Sequence, residues 1–240
     1  MKNVLWISGA SSGIGEACLA QLPPHFDEVV TIARRPAARG RQLLLDLADP
    51  RSWQSVAADF SAVLGCGDVT RATFVHLAGT VAPLGPAVHA DRTEYTSAFL
   101  LNGGSTIVLG QAFAAACTRH QVPATLVVAS SPAASDVVEG LSHYGAAKAA
   151  VEQWLRIIAA EVARAGLPLR ILAVVPQAVD TPMVRGVMQA DPSEVALSGH
   201  FAELARANEM ATPQTAAQHI WAAVTARNSP LVVPVGATGA

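Results

Sequence analysis

What most limits how this chain can fold is a series of short, unbroken apolar runs: "NVLWIS", "EVVTIA", "ATFVHLAG", "ATLVVASS" and "LRILAVV". A strand with one wet face alternates apolar and polar residues. These runs do not alternate, so both of their faces must be covered. Ala-rich stretches of helical length separate them, expected near residues 14 to 22 (stopped by Pro23 and Pro24), 50 to 64, 93 to 120, 144 to 165 and 213 to 227. Strand, crossover helix, parallel strand is the arrangement that buries such runs. Right-handed crossovers then give a doubly wound α/β sheet with helices on both faces and ligands at the carboxyl ends of the strands. Shorter runs at "QLLLDL" and "PLVVPV" bring the expected sheet to seven strands, mainly parallel.

At 240 residues, 51% of them hydrophobic, the chain is long enough to bury a large core as one domain spanning 1–240. It contains no internal repeat, linker or low-complexity tract. The stretch from about Met183 to Met210 lacks clear periodicity and is expected to form a lid over the ligand edge. A net charge of -2 with no basic run argues against a nucleic-acid footprint, and small molecules are the expected partners. The start "MKNVLWIS" is too short an apolar run for a signal-peptide core or a bilayer span, so no membrane partner is expected. Cys18, Cys66 and Cys117 are odd in number, far apart and without a Cys-x-x-Cys or a nearby His cluster. They argue for neither disulfide nor metal, and fit the reduced cytoplasm.

"NVLWISGASSGIGEACLAQL" reads as strand, glycine turn, helix. Gly9, Gly13 and Gly15 stand where the backbone must turn tightly and approach a pyrophosphate, while the following helix start offers free amides and partial positive charge. A plain tight turn would use the same glycines, but the position inside the first strand-helix unit favours a Rossmann-like dinucleotide site. After the second strand, the place of an acid that would grip a ribose 2′-hydroxyl is taken by Ala33, followed by Arg34 and Arg35. A guanidinium fork suits a 2′-phosphate, which an acid would repel, so NADP(H) is favoured over NAD(H). A solvated basic turn is the bland alternative.

In "SHYGAAKAA" a tyrosine and a lysine stand four residues apart, in a chain with only Tyr95 and Tyr144, and only Lys2 and Lys148. On a helix that spacing puts both on one face, one turn apart. A phenol with an ordinary pKa near 10 is a poor base and a sluggish acid at neutral pH unless a nearby cation favours its phenolate. An ammonium at about 4 Å contributes up to roughly 4 kcal/mol at an effective dielectric of 20, enough to bring the phenol into a useful range. Read alone, the pair also fits an ordinary amphipathic helix with a snorkelling lysine. "VVASS" breaks the tie by ending a strand at Ser131, whose hydroxyl could hold a substrate carbonyl at the same sheet edge.

Taken together, "GASSGIG", "HLAG", "FLLNGG", "VVASS", "YGAAK" and "VVPQAVDTPM" resemble the classical short-chain dehydrogenase/reductase family in identity, order and spacing, over essentially the whole chain. The resemblance implies that Tyr144 is the general acid/base, that Lys148 tunes it and binds the nicotinamide ribose, that Ser131 orients the carbonyl or alcohol, and that Asn102 holds a proton-relaying water. It also implies a cofactor cradle of Gly9, Ser11, Ser12, Gly13, Ile14 and Gly15, adenine contacts from Asp46 and Leu47, a cleft wall of Ala78 and Gly79, and nicotinamide-side contacts from Pro176, Val179 and Thr181. Homodimer or homotetramer formation through the long helices is likewise implied.

Two departures stand out. His76 and Leu77 occupy the places of two asparagines, and Gln177 that of a glycine. His76 reads as a core or strand-end residue, because the proton-transfer role already has a better candidate.

The lid and the helix after it resemble the sepiapterin reductase and benzil reductase branch, which implies a vicinal dicarbonyl substrate and NADPH-dependent carbonyl reduction. Val179, Met183, Val187, Met188 and Phe201 suit a mostly apolar pocket. A β-ketoacyl-type reductase and a non-catalytic NADP(H)-sensing protein are the alternatives.

Overall fold

A computed structural model describes residues 1–226 and 228–236. The strands are β1 (Lys2–Ser8), β2 (Glu28–Ala33), β3 (Arg41–Leu44), β4 (Val69–His76), β5 (Ala124–Ala129), β6 (Leu169–Pro176) and β7 (Val232–Val235). All pair in parallel in the order β3-β2-β1-β4-β5-β6-β7. The chain builds outward from β1 to β3, then returns to place β4 on the other side of β1. That reversal opens a crevice above the carboxyl ends of β1 and β4.

The helices are α1 (Gly13–Ala20), α2 (Pro50–Leu64), α3 (Arg92–Phe99), α4 (Ser105–His120), α5 (Ser142–Ala165), α6 (Pro182–Met188), α7 (Leu197–Ala207) and α8 (Pro213–Thr225). Three of them start on a capping residue followed by proline. Asp49, Thr181 and Thr212 each accept a backbone N–H of the first turn, and Pro50, Pro182 and Pro213 need no partner there.

Successive residues of β1 go to opposite cores, as two-faced burial requires. Val4 and Trp6 join Phe60, Phe74 and Phe113 under α2, α4 and α5, while Leu5 and Ile7 join Val75, Val127, Leu172 and Trp221 under α1 and α8. Trp6 meets Phe60 edge to face at 5.3 Å, and its indole N–H donates to Asp59 at 2.7 Å, so even the polar tip is satisfied.

Several expected boundaries move. The single helix expected over 93 to 120 carries a π-helical turn at Leu100–Gly104, between α3 and α4. Arg92–His120 is long and apolar enough to cross a membrane by length and composition, but half of its apolar window is buried. The helix expected from 144 begins at Ser142, which places Tyr144 in its first turn. The strand at "QLLLDL" ends at Leu44, because Asp46 turns the chain by accepting the Ala48 N–H at 2.9 Å. Residue 227, the expected end of α8, lies outside the described residues, as do residues 237–240 of the expected 1–240 domain. The region expected to lack regular structure, 183 to 210, folds into α6 and α7. A parallel bridge between Val179 and Ala211 closes its base.

Candidate active site

A cavity of about 670 Å³ opens above the carboxyl edge of the sheet. One wall is backbone. Gly9, at φ 70°, lies so close to the β4 exit that a Cβ there would stand 2.8 Å from the Ala78 nitrogen. Ser12 precedes α1 in extended conformation, and its side chain caps none of the first-turn amides. Gly13, Ile14 and Gly15 line the cavity, so an uncapped helix start faces it. This donor set fits a pyrophosphate. Arg34 and Arg35 follow β2, are exposed and make no ion pair among the described residues.

The opposite wall is made of side chains. Ser131, Tyr144 and Lys148 line the same cavity, and the Lys148 Nζ lies 5.5 Å from the centre of the Tyr144 ring. Lys148 is buried and donates to the Ala129 carbonyl at 2.8 Å, which holds its ammonium at the end of β5. Burial lowers the lysine to about 8. Burial also pushes the Tyr144 phenol above its usual value, opposed by a hydrogen bond from the Ser131 hydroxyl.

Asn102 sits in the π-helical turn, buried behind the cavity. Its side-chain Nδ2 donates to the Thr80 carbonyl at 2.7 Å and its Oδ1 accepts the Thr80 N–H at 2.9 Å, so the amide clamps the loop that follows β4. Gly79 makes room for this clamp, since a Cβ there would stand 2.9 Å from the Asn102 Oδ1.

Of the expected cofactor residues, Gly9, Ser12, Gly13, Ile14, Gly15, Ala78, Gly79, Pro176, Val179 and Thr181 line the cavity together with Tyr144 and Lys148. Ser11, Arg34, Arg35, Asp46 and Leu47 do not. Leu47 is buried and Asp46 is exposed beyond β3. Reasoning from sequence missed Glu152, one turn beyond Lys148. It accepts the Ser130 hydroxyl at 2.6 Å and pairs with Arg156 at 2.7 Å. Polar residues at 144, 148, 152 and 156, every fourth place on an Ala-rich helix, were the available signal.

A family model described as Enoyl-(Acyl carrier protein) reductase matches residues 9–229. The chain belongs to the short-chain dehydrogenase/reductase family. Among the relatives of this oxidoreductase chain is the Benzil reductase ((S)-benzoin forming) of Bacillus cereus, 24% identical over 92% of each chain. Another is the 1-deoxy-11-beta-hydroxypentalenate dehydrogenase of Streptomyces avermitilis, 30% identical over 76% of this chain and 70% of that one. A solved short-chain dehydrogenase/reductase from Saccharomyces cerevisiae superposes with a TM-score of 0.79 at 20% identity, covering 97% of this chain and 95% of that one. A Burkholderia cenocepacia short chain dehydrogenase solved with NADP (TM-score 0.71, 21% identity, 98% and 88% covered) and a 4-hydroxyisoleucine dehydrogenase solved with NADH (0.75, 17%, 98% of each) share this fold. Against that family background, Gln177 lines the cavity of this short-chain dehydrogenase/reductase, and His76 lies buried beneath it.

Proposed function

We propose that this chain is an NADPH-dependent carbonyl reductase acting on a small, mostly apolar ketone or vicinal dicarbonyl. The observation that carries the reading is the shared cavity, in which the uncapped start of α1 and the Ser131, Tyr144 and Lys148 side chains face one space. When bound, the nicotinamide would supply the hydride to the carbonyl carbon. Tyr144 donates its proton to the carbonyl oxygen, and Ser131 donates a hydrogen bond to the same oxygen as negative charge develops there. Lys148 holds ribose hydroxyls with the donors not spent on Ala129. It also restores the phenol's proton through a water on Asn102. Because the Asn102 amide is committed to Thr80, that water belongs on its main-chain carbonyl, which already accepts the Thr106 hydroxyl at 2.9 Å and has a second lone pair.

A phenol pushed upward by burial stays protonated through neutral pH, which suits reduction better than oxidation. Arg34 and Arg35, exposed at the end of β2, would receive a 2′-phosphate, the basis for choosing NADPH. Asp46 and Leu47 remain the proposed adenine contacts, with Ser11 in the cradle.

The substrate part of the cavity is lined by Val138, Leu141, Met183, Val187, Phe201 and Leu204, with Lys148 the sole lysine or arginine among the lining residues. This lining favours an apolar carbonyl over a β-ketoacyl thioester carried on a phosphorylated arm, and the benzil reductase relative points to a vicinal dicarbonyl. Exposed Phe99, Val108 and Ile157 on α3, α4 and α5 support pairing with a second copy of the chain, as a homodimer or homotetramer.

The test is cofactor consumption across aryl and alkyl diketones, simple ketones and β-ketoacyl thioesters, with NADPH and with NADH. Diketones with NADPH should give the highest kcat/KM. Preference for thioesters would replace the substrate, preference for NADH would replace the cofactor, and binding without consumption would mean a sensor.

A further inference from the structure

We propose that His76 is a positioning residue: a neutral imidazole protonated at Nε2, it links a one-way series of hydrogen bonds that holds the Leu77 and Ala78 amides against the glycine turn and ties both to the π-helical turn carrying Asn102.

The direction of every bond in the series is forced. The Ser8 Oγ accepts the backbone N–H of Leu77 and that of Ala78, each at 3.1 Å. A hydroxyl has two lone pairs and one proton, so both acceptor places are filled and only the proton remains. Its third partner is the His76 Nδ1, which must therefore accept. A neutral imidazole that accepts at Nδ1 carries its proton on Nε2. There it donates to the Ser105 Oγ at 3.1 Å, and Ser105 donates in turn to the Leu101 carbonyl at 2.6 Å.

Ser8, His76 and Ser105 are all buried. Protonating the ring would turn Nδ1 into a second donor facing a hydroxyl that can accept no more. The Ser8 proton would then be stranded where no water can take it. Burial and the Lys148 charge, the one charged group acting on the ring, both oppose that state and lower the imidazole to about 3.

The series also lies where position matters. Ser8 and His76 are register partners and the last residues of β1 and β4. Immediately beyond them, Gly9 presses on Ala78, and Ala78 and Gly79 line the cavity. At the far end, Leu101 and Ser105 flank Asn102, whose side chain grips Thr80 on the same loop. The ring is stacked on Phe74 at 5.4 Å, which fixes its plane. His76 touches neither the cavity nor a reacting atom, so it acts through Ser8 and Ser105.

The inference rests on the nicotinamide reading only in its binding arm. The first test needs no cofactor. In the wild-type chain labelled with ¹⁵N at histidine, the His76 ring should show an unprotonated Nδ1 and a protonated Nε2 from pH 8 to pH 5. A ring protonated at Nδ1, or one that titrates in that range, overturns the proposal. The second test compares variants by fluorescence titration with NADPH, or with NADH if the reading of Arg34 and Arg35 fails.

His76→Asn keeps an acceptor for Ser8 and should hold Kd within about threefold. His76→Leu leaves the Ser8 proton without an acceptor, while Ser105 keeps its bond to the Leu101 carbonyl, and should weaken binding by about tenfold, as expected from one unmet buried donor. On saturating cofactor, kcat should move less than about threefold in either variant if the effect is on position. Equal Kd values for the two variants would mean that His76 only fills space, and the proposal fails. If His76→Leu does not fold, the tautomer of the wild-type ring and the Kd of His76→Asn still decide it.

Discussion

The two walls of the cavity are built differently. At the ends of β1 and β4 the wall is backbone: a turn at positive φ, an uncapped helix start, and amides held by a buried serine. At β5, α5 and the lid the wall is side chains. These are a phenol and an ammonium fixed to a strand end, then Met183, Val187, Phe201 and Leu204 from two short helices. Backbone amides take any pyrophosphate and leave the chemistry open. Side chains decide which atom receives a proton and which substrate fits. The first wall should therefore determine cofactor binding and the second turnover, and the sharpest way to break that division is to change the second wall alone.

Tyr144→Phe removes one oxygen from the side-chain wall and nothing from the other. Loss of a positioned general acid typically costs 10²- to 10⁴-fold, so kcat should fall by about a thousandfold while NADPH Kd, read by fluorescence titration, stays within about twofold. A kcat within tenfold of wild type would remove Tyr144 from the mechanism. Weakened NADPH binding of similar size would erase the division between the walls.

The same difference explains what could be read from the sequence. The sheet was legible because two-faced strands cannot hide their composition, and the glycine turn because close backbone approach excludes a Cβ. Tyr144 and Lys148 were legible because the chain uses each residue type only twice. The lid's position was legible, but its helices were not. α6 is 7 residues long, too short to show a period although Thr181 and Pro182 mark its start, and α7 begins after Ala196 with no side-chain cap to mark it. The π-helical turn at Asn102 was hidden for another reason. It changes hydrogen-bond register inside a continuous helix, and the contact that coincides with it, the Thr80 clamp, comes from a loop 22 residues away. Residues 76 and 105 were equally invisible as partners, since only the fold brings them together.

A smaller effect should separate stability from function within the side-chain wall. Lys148 is buried with its pKa lowered from 10.5 to about 8, so below pH 8 the folded state carries a poorly solvated charge. Between about 8 and 10.5 the unfolded chain binds the proton and the folded one does not, so this group makes stability rise with pH across that window. Lys148→Met removes the cost. After allowing for the lost bond to Ala129, the gain at pH 7 should be about 2 kcal/mol, read in urea unfolding, and the wild-type rise above pH 8 should disappear. Turnover should be lost in the same variant. A destabilised Lys148→Met would mean that the bond to Ala129 outweighs the burial of the charge.

The mildest test falls on the lid. Phe201 lies on α7, lines the cavity and is only partly buried. Truncating it removes apolar contact from the substrate side and leaves the glycine turn, α1 and the β4 exit untouched. At about 25 cal/mol per Å², losing roughly 60 Å² of contact is worth about 1.5 kcal/mol. Phe201→Ala should therefore raise KM for an aryl diketone by about tenfold, with the smallest change for a short alkyl diketone that does not reach α7, and with NADPH Kd constant. The excursion from 180 to 211 is tied at its base by Asp180 and Ala178 bonding to Ala211, so the truncation should not release it. An equal KM increase for long and short diketones would mean that α7 acts by closing over the site, and that the side-chain wall selects substrates through α6 and the β6 exit instead.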